Sequence, residues 1–346
     1  MSAVGEERAE ACVDEKSAEV GGASSVHVSS PPTKLPPVLP PQPEKPKRLA
    51  GYTVIQIISS GSYGDVYKVS KKDSGDLFVV KVMSKCRQTA RRTEEQQREL
   101  SIMKRLSGKH PNIMSLLGWR ETNFNFQLFM PLYDQTLKQF INGSPVPLHA
   151  GQVITTQLCS AVAYLHESII LHRDIKPANI LMKKKQPLAV VLSDFGCSRE
   201  ISQVPLKHTQ DSPMTPNMVT IWYRAPEILM GYKTYSLPSD VWSLGVTCVE
   251  IERGRAPFQA STDVPMLRDI FQAVGGHVPG HLPVVVNGFT RHLCTLARAP
   301  ARVLWGQLYG ASFQKLVDAM FVVEEKDRIT AHAASRHGFC VVAGSN

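Results

Sequence analysis

Leu171 to Leu181 reads LHRDIKPANIL, a short polar run held between apolar ends. An aspartate, a lysine two residues later and an asparagine five residues later place three chemical tools in one loop. Asp174 can orient a hydroxyl group and accept its proton. Lys176 can steady a phosphoryl group in transfer, and Asn179 can offer an amide oxygen to a magnesium ion. A solvated polar turn can hold the same letters, so the flanking segments decide between the two readings.

Upstream, Ile154, Leu158, Val162 and Leu165 recur at helical spacing and predict a core helix running into the loop. Downstream, Val190 to Ser193 reads as a strand that delivers Asp194-Phe195-Gly196, and Ala225-Pro226-Glu227 follows. Nearer the N-terminus, Leu77 to Met83 (LFVVKVM) is an apolar strand carrying one lysine. A buried charge of that kind needs a partner. Glu99 is the candidate, in a helix predicted over Thr93 to Leu106 that puts Glu99 and Met103 on one face. Before this, a strand over Tyr52 to Ser59 meets a turn at Ser60 to Gly64 and resumes at Val66. Glycines in such a turn let the backbone N–H groups approach a phosphate closely. A helix is expected to start near Gln135.

In this order and spacing, Lys81, HRD with Asn179, DFG and APE resemble the signature strings of eukaryotic protein kinases. The resemblance covers Tyr52 to about Cys340. It implies an α+β, bilobal protein kinase fold, with a small antiparallel β-sheet lobe and one key helix over residues 51–131. A mainly helical large lobe would span 134–340, with residues 341–346 as a short tail. It also implies ATP and Mg²⁺ as cofactors. Asp174, Lys176, Lys81 and Glu99 would be catalytic, and Asn179 and Asp194 would hold the metal. The nucleotide would touch Ile58, Gly61, Gly64, Val66, Val79, Lys81, Met130, Leu132 and Leu181, with Pro131-Leu132-Tyr133 as the hinge. Glu227 would pair with Arg328, and Asp240 would anchor the catalytic loop. Ser59 stands where the first glycine of the family's loop belongs, and Val79 replaces a usual alanine.

Lys176, two residues after Asp174, resembles the lysine of the Ser/Thr-specific kinases and implies that class. WYRAPEIL (Trp222 to Leu229) resembles the CMGC branch, which contains the cyclin-dependent, MAP and glycogen-synthase kinases; the first of these is the nearest match. There, the position of Arg224 is associated with proline after the phosphoacceptor, and Met218, Val219 and Thr220 would line that pocket. Ser62 and Tyr63 fall where such enzymes carry inhibitory phosphorylation, and Thr215 where they carry the activating one. Arg173 would receive the phosphate on Thr215. A cyclin-like regulatory subunit is implied, although the helix over Thr93 to Glu99 reads differently from that of close relatives. The span 280–310 matches nothing in the family. A catalytically weak or inactive pseudokinase scaffold is the competing reading; Ser59 favours it, and the retained Lys81, Glu99, Asp174, Asn179 and Asp194 oppose it.

The whole chain has 346 residues, 43% hydrophobic and 20% charged, enough for a sizeable core. Residues 1–50 read as a disordered tail, with prolines crowded over Ser30 to Pro46. Lys34, Pro37 and Pro40 fit either a semi-rigid spacer or a motif for an SH3-type reader. Seven cysteines without CxxC spacing fit a reducing compartment, and no apolar run approaches the length of a membrane span. Cytoplasmic or nuclear placement is expected, with protein substrates as partners. Although the net charge is +9, no basic stripe interleaved with aromatics argues for nucleic acid.

Overall fold

The computed structural model describes residues 49–61, 64–85, 90–184, 187–201, 221–231, 235–275 and 303–341. All belong to the compact unit spanning residues 46–346. Strands β1 (Tyr52–Gly61), β2 (Gly64–Lys71), β3 (Leu77–Ser84), β4 (Gly118–Glu121) and β5 (Asn125–Pro131) form an antiparallel sheet in the order β1-β2-β3-β5-β4. Register decides its two faces. Val66 and Leu128 both lie opposite Lys81, and Val79 lies opposite Met130. Residues two apart share a face, so Val66, Val79, Lys81 and Met130 line one side. Tyr67, Val80 and Phe129 line the other, where they close a small core with Leu49 and Val69.

Helix α1 (Ala90–Leu106) buries Gln96, Glu99, Leu100, Met103 and Leu106, the spacing of one helical face. That face joins Met83 and Leu128 in the main core. The chain then passes through β6 (Gln135–Thr136) into α2 (Leu137–Ile141). The helix expected near Gln135 therefore opens two residues later, because Gln135 and Thr136 first pair with Met182 and Leu181. Thr136 then caps α2: its hydroxyl accepts from the Gln139 N–H at 3.1 Å, and Gln139 Oε1 accepts from the Thr136 N–H at 2.8 Å. The first strand also runs further than expected, through Ser60 to Gly61, which lies opposite Gly64.

Below the sheet, α3 (Leu148–Glu167) buries Ile154, Leu158, Val162 and Leu165 completely and ends just before β7 (Ile170–Leu171). Strands β8 (Ile180–Met182) and β9 (Val190–Leu192) extend the β6 pairing into a three-stranded sheet, and β10 (Arg199–Glu200) pairs with β7. A short α4 (Pro226–Leu229) leads to α5 (Leu237–Arg253), which is buried almost all round and so sits at the centre of the helical region. Helices α6 (Asp263–Val274), α7 (Gly310–Met320), α8 (Ala331–Ser335) and α9 (Gly338–Val341) complete it. Arg328 forks onto both carboxylate oxygens of Glu227 at 2.9 Å, tying α4 to the chain's last helices. Among the described residues, no helix is long and apolar enough to cross a membrane. An antiparallel sheet followed by a mainly helical region is the bilobal α+β arrangement.

Candidate active site

The loop between β7 and β8 is fixed from below by Asp240, near the start of α5 and fully buried. Its carboxylate accepts the backbone N–H groups of His172 (2.8 Å) and Arg173 (2.9 Å), and the Tyr235 hydroxyl at 3.1 Å. Burial alone would push this carboxyl up. The His166 ring, 3.3 Å away, and the charges and N–H groups of the loop outweigh that and hold it below the usual aspartate range. Arg173 has φ +69°, a left-handed conformation uncommon outside glycine. The two hydrogen bonds to Asp240 hold it there.

Strand β3 brings Lys81 to the sheet's lower face, and α1 brings Glu99 against it. Lys81 Nζ lies 2.6 Å from Glu99 Oε1 and 3.2 Å from Asp194 Oδ1. Burial would pull the ammonium down, but the two carboxylates overcome it and raise the group above its ordinary value. Burial pushes Glu99 up. Lys81 holds Asp194 below the usual carboxylate range, and 43% of the Asp194 side chain is open to the cleft. Asp194 itself has φ +64°. The next residue, Phe195, is fully buried and meets the His172 ring edge-on at 5.2 Å, so the two loops pack as one unit.

Asp174, Lys176 and Asn179 come together on that platform. Lys176 Nζ lies 2.9 Å from the Asp174 carboxylate. The Asn179 amide nitrogen donates to the Asp174 backbone oxygen (2.9 Å) and to Oδ2 (2.8 Å), which leaves its amide oxygen as the atom for a cation. Among the described residues, no three His, Cys, Asp or Glu side chains cluster closely enough to cage a metal. One carboxylate and one amide oxygen nevertheless suit Mg²⁺, which keeps few protein ligands and shares the rest with phosphate and water. The donor set at Asp194 and Asn179 therefore fits that ion.

Above this polar floor, Val66, Val79, Met130, Leu132 and Leu181 are all half-buried, and Ile58 is 49% exposed. An apolar ring could cover these surfaces. Of the two loop glycines, only Gly64 is sterically required: it has φ +121°, and a Cβ there would stand 2.6 Å from the Val82 carbonyl oxygen. Gly61 faces open space.

Two site residues carry no signal in the sequence strings. Arg98 on α1 and Arg199 on β10 gather beside Arg173. Burial and the neighbouring Arg98 and Arg173 push Arg199 down to about 10. Arg98 Nη1 and Arg173 Nε are buried without a hydrogen-bond acceptor among the described residues. Arg199 donates to the Ser198 carbonyl at 2.9 Å and has Glu95 3.8 Å away. The unmatched donors therefore lie on Arg98 and Arg173, and the crowded guanidinium groups suit an anion. The clues were position alone: Arg98 precedes Glu99, and Arg199 follows Asp194 by five. Arg224 Nε and Nη2 are likewise buried and unmatched among the described residues. Ser62, Tyr63, Thr215, Met218 and Val219 lie outside the described residues, as do residues 1–48 and most of 280–310.

A family model described as the protein kinase domain matches residues 52–340, far more than half of the chain. Its span contains every side chain of this cleft, from the sheet lysine to the loop aspartates, and the chain therefore belongs to the protein kinase family, whose members move a phosphoryl group from ATP to protein.

Proposed function

We propose that this chain is a Mg²⁺- and ATP-dependent serine/threonine kinase that is proline-directed and resembles the cyclin-dependent kinases of the CMGC branch. The observation that carries this reading is the convergence of Lys81, Glu99 and Asp194 over a loop presenting Asp174, Lys176 and Asn179. Asp174 aligns the attacking hydroxyl and takes its proton as the oxygen–phosphorus bond forms. Lys176 lies close enough to that carboxylate to offset charge on the phosphoryl oxygens, the arrangement expected for a serine or threonine acceptor. Lys81, oriented by Glu99, holds the phosphates that remain behind. Asp194 and Asn179 would bind the magnesium ion, which neutralises phosphate charge when bound. Most of the acceleration comes from positioning and fixed charge.

Proline direction is supported by Arg224, whose Nε and Nη2 are buried and unmatched among the described residues, at the position that the resemblance associates with proline after the phosphoacceptor; Met218 and Val219 would line that pocket. Phosphate on Thr215 would be taken by Arg98, Arg173 and Arg199 together, ordering the segment between Asp194 and Glu227. A cyclin-like subunit would act through α1, which carries Glu99. The tail at Lys34, Pro37 and Pro40 would serve as a semi-rigid spacer or meet an SH3-type reader, and the protein would work in the cytoplasm or nucleus.

The test is transfer of labelled phosphate by the full chain and by Asp174→Asn to Ser-Pro, Ser-Ala and Tyr-Pro peptides. The Ser-Pro peptide should give the highest kcat/KM and the Tyr-Pro peptide none, with Asp174→Asn lower by roughly 10²–10⁴-fold. Equal signals from both proteins would replace the enzyme reading with a scaffold.

A further inference from the structure

A second concave site lies at the far end of α5. Arg253, Arg255, Gln259, Ser261, Arg268 and Asp269 line a cavity of about 570 Å³, between the end of α5 and the face of α6. Three arginines and one aspartate leave it cationic. Arg253 is committed: it donates to the Leu304 carbonyl at 2.7 Å, lies over the Trp305 ring at 4.9 Å and has Glu252 3.7 Å away. Arg268 pairs with its chain neighbour Asp269 at 3.0 Å, with half of its side chain exposed. Arg255 is exposed and has no ion-pair partner among the described residues.

We propose that this cavity docks acidic side chains of the protein substrate, at a distance from the phosphoacceptor; the proposal rests on the kinase reading. Arginine forks match carboxylates geometrically, and a concave wall raises the local field. The cavity is tied to the substrate side of the molecule. Trp222 Nε1 donates to the Ala260 carbonyl at 3.1 Å, and Trp222 stands two residues before Arg224. Distance sets the expected register. From Asp240, which holds the catalytic loop, to Arg253 the α5 axis rises about 20 Å at about 1.5 Å per residue. An extended peptide covers that in about six residues at about 3.3 Å each. Acidic residues about six positions from the phosphoacceptor should therefore reach the pocket.

The test uses the full chain and two readouts. Fluorescence anisotropy follows a labelled peptide with three glutamates and no hydroxyl residue, against its glutamine counterpart. Kinetics compare a Ser-Pro peptide extended by acids about six residues C-terminal, by acids about six residues N-terminal, or by glutamines. Arg255→Glu/Arg268→Glu should weaken acidic-peptide binding at least tenfold and raise KM for one acidic extension, leaving kcat for the glutamine peptide unchanged. Arg255→Gln/Arg268→Gln should give a smaller loss in the same direction. Lys71→Glu/Lys72→Glu, which changes net charge equally on the small lobe, should have little effect. An equal loss in the lysine variant would mean unspecific attraction and overturn the proposal, as would equal affinity for the acidic and glutamine peptides. If the glutamine-extended peptide is not phosphorylated at all, the kinase reading fails, and the anisotropy series still decides the pocket.

Discussion

Lys81 is only 7% exposed yet charged, because Glu99 and Asp194 face it from two elements far apart in sequence. The apolar run LFVVKVM announced that the lysine needed a partner, and Glu99 could be named from its place in a helix. That Asp194 would be the second partner was not legible, since the contact spans 113 residues and depends on how two loops pack. Removing the ammonium tests the arrangement. Lys81→Met leaves Glu99 buried and unpaired, and breaking a buried pair costs about 3–5 kcal/mol. Glu99 is already pushed up by burial and would take up a proton instead. A group whose folded pKa is raised adds stability below its unfolded value and loses it as pH rises through the folded one. The stability deficit of Lys81→Met, measured in urea, should therefore be about 3 kcal/mol at pH 7.5 and smaller at pH 5.5. Phosphate transfer should be lost at both. A deficit independent of pH would mean that Glu99 stays ionised or is not paired in the wild type.

The helices show where periodic patterns suffice and where they fail. Ile154, Leu158, Val162 and Leu165 gave α3 its buried face from spacing alone. Thr136 and Gln139 form a capping box that also stands in the sequence, but the two-residue β6 ahead of it depends on a partner strand about 45 residues away and left no local signal. Gly151 shows what spacing leaves out. Within a helix, glycine normally costs about 1 kcal/mol relative to alanine, so Gly151→Ala reads as stabilising. Here a Cβ would collide with the hydroxyl and ring of Tyr309. That ring cannot easily yield: its hydroxyl donates to the Val146 carbonyl at 2.6 Å, and it packs on Phe313 and Phe339 with centroids 5.1 and 6.1 Å away. Gly151→Ala should lower stability by about 1–3 kcal/mol, the usual cost of overpacking. Introducing the same change into Tyr309→Ala should cost far less, because the ring it would strike is gone; additive losses in the double-mutant cycle would show that the two do not meet.

On the scale of the whole molecule, Asp240 joins more of the structure than any pattern around it suggests. One carboxylate on α5 receives the catalytic loop's backbone at His172 and Arg173, the Tyr235 hydroxyl and the ring of His166 at the end of α3. The family resemblance placed Asp240 under the loop; the contributions of Tyr235 and His166 required the fold. Because the folded carboxyl lies below its ordinary value of 3.8, the unfolded chain binds more protons as acid is added. Its stabilising effect is complete above the unfolded pKa and is lost as pH falls through the folded one. Asp194 acts with the same sign, held down by Lys81. Melting temperature should therefore decline steeply below about pH 4, the ordinary aspartate range. Asp240→Asn cannot accept all of these donors with one oxygen, and its amide nitrogen would face N–H groups. At pH 7 it should melt lower than the wild type and lose activity as Arg173 leaves its left-handed conformation. Between pH 4 and pH 3 its melting temperature should fall less steeply, with Asp194 still contributing. Parallel acid limbs for the two proteins would show that Asp240 is not the group whose protonation loosens the fold.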